Sequence, residues 1–265
     1  MVRQWSDDPN FSHGFLVPLF SAFLIWRRRY EIHLFPAASS CGKGLILLGI
    51  GLVFLVIGKA GGEHFTIRFS LVLVLAAICA LVTGWEGLRK CFFAFAFLVF
   101  MIPIPYIIYD WIAFPLKLLA SEIGEISLRA AGIPVFRDGN IINLASLQLE
   151  VADACSGIRF LYSMTALATV TAYFLGLGII RGGILFLSAI PASVGANSSR
   201  IFMTGAISNR YGAEYAKGFF HEISGTLVFL SCMIIVVSFG VVLSSIGNRH
   251  RKLAEDTRIG LMDKK

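Results

Sequence analysis

Long, nearly uncharged apolar runs constrain this chain more than any other feature of its sequence. Ile223–Gly247 holds no charged residue, and Gly183–Gly205 holds only Arg200. Runs of this length and polarity are read as helices that cross a bilayer, which takes about 20 residues. Of the 265 residues, 57% are hydrophobic and only 15% are charged, against roughly 25% in a soluble domain. The expected fold class is all-α: a polytopic transmembrane helical bundle, forming a single membrane domain over 1–265.

Seven spans are predicted: Phe11–Trp26, Leu45–Lys59, Phe65–Thr83, Cys91–Tyr109, Ile158–Ile180, Gly183–Gly205 and Ile223–Gly247. The first two are short, so they extend into flanking residues or are distorted. If the spans alternate, Arg27-Arg28-Arg29, Arg89-Lys90, Arg181 and the basic tail 248–265 share one side. By the positive-inside rule that side is cytoplasmic, which leaves residues 1–10 outside. No cleavable secretion signal is recognisable. The net charge of +7 is accounted for by basic residues flanking spans, so it does not point to nucleic acid. The five cysteines lack CxxC spacing and a nearby histidine cluster, so neither a metal nor another cofactor is expected.

The stretch 110–157 is predicted to be an extracytoplasmic insertion. Within Trp111–Ala131, Ile112, Pro115, Leu116, Leu119, Ile123 and Ile126 recur at helical spacing with charged residues between them, as in an interfacial helix. Gly132-Ile133-Pro134 breaks it. Asp138-Gly139 among β-branched and aromatic residues signals a hairpin. Leu147–Val151 alternates apolar and polar residues, like a half-buried strand. A small β element therefore delivers the chain to Cys155.

Polar groups in or beside spans are costly and mark candidate sites. Cys155 stands at the outer start of the fifth span, where the free N–H groups of a helix end favour a thiolate. Arg200 falls near the outer end of the sixth, after Asn197-Ser198-Ser199. His221 falls at the outer start of the seventh, followed by Glu222. A thiol, a guanidinium and an imidazole at one depth suit acyl transfer: thiolate attack, oxyanion stabilisation by the fixed cation, and proton transfer by the imidazole. Depth alone does not bring them into contact, and plainer readings stand beside this one. Cys155 also suits a helix start, Arg200 a snorkelling side chain, and His221 an interfacial cap. Arg159, four residues after Cys155, either tunes the thiol, binds a carboxylate or anchors to a headgroup. Asn197 suggests a polar cavity, and His13, in the turn-forming Asp7–Gly14, lines the same outer site or a surface turn. A non-enzymatic component of exopolysaccharide assembly or export, with Arg200 and Arg159 binding an anionic lipid-linked sugar, is the alternative.

Three motifs in this order resemble the exosortase family of bacterial membrane proteins: Glu150–Leu161 around Cys155, Ala196–Ile201 around Arg200, and Gly218–Gly225 around His221. The segments Asp8–Pro18 and Pro134–Asn140 are also similar to it, so the resemblance covers nearly the whole chain. It implies a cysteine peptidase or transpeptidase, analogous to sortase in function but not in fold, in the bacterial inner membrane with its site facing the periplasm. Its implied substrates are exported proteins ending in a Pro-Glu-Pro type motif, a transmembrane helix and a basic end. The implied acceptor is lipid-linked or polysaccharide, in systems associated with exopolysaccharide production. By position, Cys155 matches the family nucleophile, Arg200 its arginine and His221 its histidine; whether the Cys155–His221 pair is ionic or neutral stays open. Family members usually have eight spans, with another apolar helix before the Asp-Pro-Asn segment. Here that helix is missing by a displaced start or by true loss, which accounts for the odd count.

Overall fold

The computed structural model describes residues 1–32, 41–145, 147–150, 158–217 and 219–262. The chain divides into two compact units, Met1–Asp110 and Trp111–Lys265.

The first unit holds α1 (Val2–Asp7), a 3-10 turn over Pro9–Phe15, α2 (Leu16–Arg27), α3 (Cys41–Ala60), α4 (His64–Phe97) and a 3-10 turn over Leu98–Met101. Lipid is as apolar as leucine, so close packing rather than hydrophobic burial joins helices in a membrane. The seam between α3 and α4 illustrates this. Gly44, Gly51 and Gly58 are the buried positions of α3 after its first residue, and they recur every seven residues. A Cβ at Gly44 would lie 2.7 Å from Leu81 Cδ2, one at Gly51 would lie 3.0 Å from Val74 Cγ2, and one at Gly58 would lie 2.9 Å from the backbone nitrogen of Ile67. Leu81, Val74 and Ile67 are also seven apart, in descending order. The two helices therefore run antiparallel with a heptad period.

Glu63 starts α4. Its side chain accepts hydrogen bonds from the backbone N–H groups of Phe65, at 2.9 Å, and Thr66, satisfying two of the helix's open donors. The Thr66 hydroxyl above all, with these N–H groups and the neighbouring His64, holds the Glu63 carboxyl below its ordinary range against the opposing effect of burial. Gly84, at φ 78° and ψ 171°, divides α4 into two helical segments; only glycine adopts this backbone without strain. The break falls one residue after the predicted end of the third span.

Trp5 of α1 is buried and donates from Nε1 to the Met101 carbonyl at 2.9 Å. Its ring lies against Gly14, where a Cβ would come within 2.4 Å of Nε1. Basic groups that the sequence assigns to one side do meet: Arg28 donates to the Lys90 carbonyl and Lys90 to the Glu31 carbonyl, both at 2.6 Å.

The second unit contains most of α5 (Tyr106–Ala130), then β1 (Val135–Asp138), β2 (Ile141–Leu144), β3 (Gln148–Glu150), α6 (Ile158–Phe174), α7 (Gly178–Tyr211), α8 (Ala213–Lys217) and α9 (Phe219–Met262). The strands form an antiparallel sheet in the order β1-β2-β3. Asp138 already pairs with Ile141, so the hairpin tip is Gly139-Asn140, one residue beyond the predicted Asp138-Gly139, with Gly139 at φ 61°. Arg137 of β1 bonds to Glu125 of α5 at 3.0 Å, and Glu125 also pairs with Arg129 at 2.8 Å. Ile142, fully buried, joins Ala120, Leu128, Ile133, Val194 and Ile201 in one core cluster. Helix α5 buries Tyr109, Ala113, Ala120, Ser121 and Leu128, while Ile112, Leu119, Ile123 and Ile126 stay exposed.

Among the described residues, four helices are long and apolar enough to cross a membrane: Gly42–Ala60, His64–Met101, Gly178–Tyr211 and Gly225–Gly247. The protein is a helical membrane bundle with a small sheet; four such helices among the described residues do not by themselves give the count of seven. The run His64–Met101 holds the third predicted span and most of the fourth, divided by the break at Gly84. Pro103 and Pro105, which lack a backbone donor, follow that run, so Tyr106–Tyr109 open α5 instead. The apolar helix Phe11–Arg27 is shorter than a full span, and the described part of α6 covers 17 residues.

The glycine seam and the Glu63 cap can be tested separately. In detergent-solubilised protein, Gly58→Ala lowers the melting temperature, because its Cβ meets the Ile67 backbone; overpacking of this kind costs about 1–3 kcal/mol. Gly49→Ala, on the same helix but facing open space, leaves the melting temperature unchanged or raises it through helix propensity. Glu63→Ala removes a cap worth about 1 kcal/mol, an expected drop of ~2–4 °C at neutral pH. Because the folded-state carboxyl is depressed, its contribution is present above the ordinary carboxylate range and is lost as pH falls through the depressed value. Melting curves at neutral pH and in acid should show the difference between wild type and variant shrinking.

Candidate active site

Helix α7 is built with two apolar faces and a polar stripe between them. Leu185, Ala189 and Ala196 face the cluster formed with Met164 and Ala168 of α6 and Cys232 and Val236 of α9. Val194 and Ile201 face the cluster formed with α5 and the sheet. Ser193, Asn197, Arg200, Thr204 and Ser208, spaced by three or four, fall along one side of a helix of 3.6 residues per turn. All five are buried, with Arg200 at 9% exposure. The stripe lies between the two apolar clusters, shielded from lipid on both flanks.

Close packing against α5 supports this side of α7. A Cβ at Gly124 would lie 2.6 Å from Ile201 Cγ2, and one at Gly205 would lie 2.8 Å from Leu128 Cδ2. Ser198 donates to the Ala120 carbonyl of α5 at 3.3 Å and to the Val194 carbonyl at 2.9 Å. Ser193 likewise returns its hydroxyl to its own helix, donating to the Ile190 carbonyl at 2.8 Å, a common resting place for helical serines. Asn197 differs. Its exposure is 0%, and neither Oδ1 nor Nδ2 has a hydrogen-bond partner among the described residues.

Arg200 projects toward α9. A Cβ at Gly225 would touch the Arg200 guanidinium, at 3.5 Å from both Cζ and Nε and 3.8 Å from Nη2, so the planar group rests against bare backbone. Position 221 lies four residues before Gly225, one turn along the same side of α9. At the other end of the same helices, Gly247 lies against Arg181, a pair that the predicted topology assigns to the other side. Helices α7 and α9 therefore run antiparallel.

The structure treats the predicted site residues unequally. Arg200 and Asn197 lie three residues apart on α7, both buried. His221 and Glu222 belong to the first turn of α9, but their side chains lie outside the described residues. Cys155 falls in 151–157, also outside them, in the connection from β3 to α6; Arg159 is in the first turn of α6, its side chain likewise undescribed. The helices carrying or following the three motifs, α6, α7 and α9, all pack on one another. His13 belongs to the first unit, where it is half-buried and hydrogen-bonds to the backbone of Phe100. No group of three or more metal-ligating side chains occurs among the described residues.

Two features of the site were not read from the sequence. The guanidinium shelf at Gly225 was legible only as the small residue one turn after His221. The buried serines and threonine flanking Asn197 and Arg200 were legible as polar residues at helical spacing in an otherwise apolar run.

Neither the curated proteins nor the solved structures contain a match to this chain. The family model described as Transmembrane exosortase (Exosortase_EpsH) matches residues 5–238. That match spans α1 to the middle of α9 and takes in all three motif segments, and the chain is therefore a membrane protein that belongs to the transmembrane exosortase family.

Proposed function

We propose that this protein is a membrane cysteine peptidase or transpeptidase acting through an acyl-Cys155 intermediate. The observation that carries the reading is the buried Arg200 guanidinium against Gly225, on the helix pair that also bears position 221. A buried cation in a membrane helix is costly to keep and is retained for function. Here it would serve as fixed positive charge beside the reacting carbonyl.

In the proposed reaction, the Cys155 thiolate attacks the scissile carbonyl carbon. The carbonyl electrons move to oxygen, and Arg200 stabilises the resulting oxyanion. The tetrahedral intermediate collapses to a thioester as the C–N bond breaks, and His221 protonates the leaving amine. An amine, a hydroxyl or water then attacks the thioester and frees the thiol. Arg159 and Glu222 act in support. The substrates are exported proteins ending in a Pro-Glu-Pro type motif, a transmembrane helix and a basic end; the acceptor is a lipid-linked or polysaccharide surface group. The site faces the periplasm of the bacterial inner membrane. The antiparallel strands supply an edge for the extended motif, and glycine-lined helices suit docking of the substrate's own helix.

Co-expression with a tagged protein carrying such a C-terminus tests this. Cys155→Ser is expected to abolish processing at unchanged protein level, with wild type yielding an acyl adduct on Cys155 by mass spectrometry. Processing that persists in Cys155→Ser would return the chain to a non-enzymatic role in exopolysaccharide assembly. Arg200→Ala should slow processing by about 10²–10³-fold, the range for loss of one oxyanion donor. Gly225→Ala, whose methyl only touches the guanidinium, should retain most activity. Gly225→Val, too large for that space, should behave like Arg200→Ala, as read by the rate of substrate shortening on immunoblots.

A further inference from the structure

We infer that Asn197 is a substrate-binding residue that takes the backbone of one extended substrate residue, its Oδ1 accepting that residue's N–H and its Nδ2 donating to the same residue's C=O. This rests on the acyl-transfer reading and specifies how that site holds a peptide.

The starting point is an unbalanced group. Buried polar side chains are almost always hydrogen-bonded, and an exception calls for an explanation. Asn197 is completely buried and leaves both amide atoms without a hydrogen-bond partner among the described residues. Its neighbours on α7 show that the local structure does satisfy polar groups when the side chain permits. Ser193 and Ser198 bond to carbonyls of their own helix. An asparagine amide offers both a donor and an acceptor, and the helix offers it no free N–H in mid-span. The side chain thus carries a donor–acceptor pair that matches the N–H and C=O of one residue in extended chain.

Position selects the ligand. Asn197 lies three residues before Arg200, on the same stripe and so about one turn away. A substrate residue held at Asn197 is near the carbonyl that Arg200 would polarise. Arg200 keeps slight exposure while Asn197 has none, so a bound segment reaches the amide by way of the guanidinium. Leaving these two hydrogen bonds unmade destabilises the free protein; making them on binding turns that deficit into affinity for a peptide backbone rather than for a particular side chain.

Stability and binding should therefore move in opposite directions. Asn197→Leu, close in volume and without polar atoms, should raise the melting temperature of the solubilised protein. The same change in a Cys155→Ser background should weaken binding of a synthetic peptide, made of a Pro-Glu-Pro motif and an apolar helix with a basic end, by about tenfold or more. A series of this peptide in which each N–H-bearing bond around the motif is replaced in turn by an ester locates the contact. One ester should weaken binding to protein that retains Asn197 and have no further effect in the N197L background. A lowered melting temperature with N197L, or unchanged peptide affinity, or ester effects that simply add to that of N197L, would each overturn the inference. Because binding is read in Cys155→Ser protein, failure of the acyl-transfer reading is registered separately, by processing that survives Cys155→Ser.

Discussion

The second unit depends on keeping the polar stripe of α7 away from lipid. A charged side chain within a membrane helix is costly, and α7 adds to Arg200 an asparagine and several hydroxyls on the same side. Burial between two apolar clusters, one shared with α6 and α9 and the other with α5 and the sheet, makes such a helix tolerable. The bundle around α7 is therefore both its shield and the scaffold of the candidate site. Gly225 contributes by having no side chain, which lets the guanidinium lie against α9.

The first unit solves a different problem with similar means. Its α3–α4 pair has almost no polar glue and relies on three glycines in heptad spacing against Ile67, Val74 and Leu81. Where backbone approach replaces hydrophobic burial as the driving force, a single methyl at the wrong glycine changes sign from stabilising to destabilising. Small residues recur in the second unit too, at Gly124 and Gly205, where α5 and α7 meet.

Much of this was legible in the chain. Apolar runs announced membrane helices, and Asp138-Gly139 with the alternation after Leu147 announced the strands, to within one residue at the hairpin tip. Arg200 and Asn197 stood out because polar residues are rare inside such runs. What was not legible was the exact division of spans: hydropathy alone does not place the break between the third and fourth spans at Gly84, or show that Pro103 and Pro105 hand Tyr106–Tyr109 to α5. Nor did apolar spacing in α5 show which face is buried. Ile112, Leu119, Ile123 and Ile126 stay exposed while Ala113, Ala120 and Leu128 are covered, because close packing against α7 favours small residues along part of that face.

The sequence by itself determined the class of solvent, the helical architecture and the types of reactive group available, because composition and periodicity are local properties of the chain. Tertiary structure alone decided which polar residues share a buried seam, which glycine supports the guanidinium, and that Asn197 is left with an unmet donor and acceptor among the described residues. Those depend on what lies across from each residue, and residues far apart in the chain supply it.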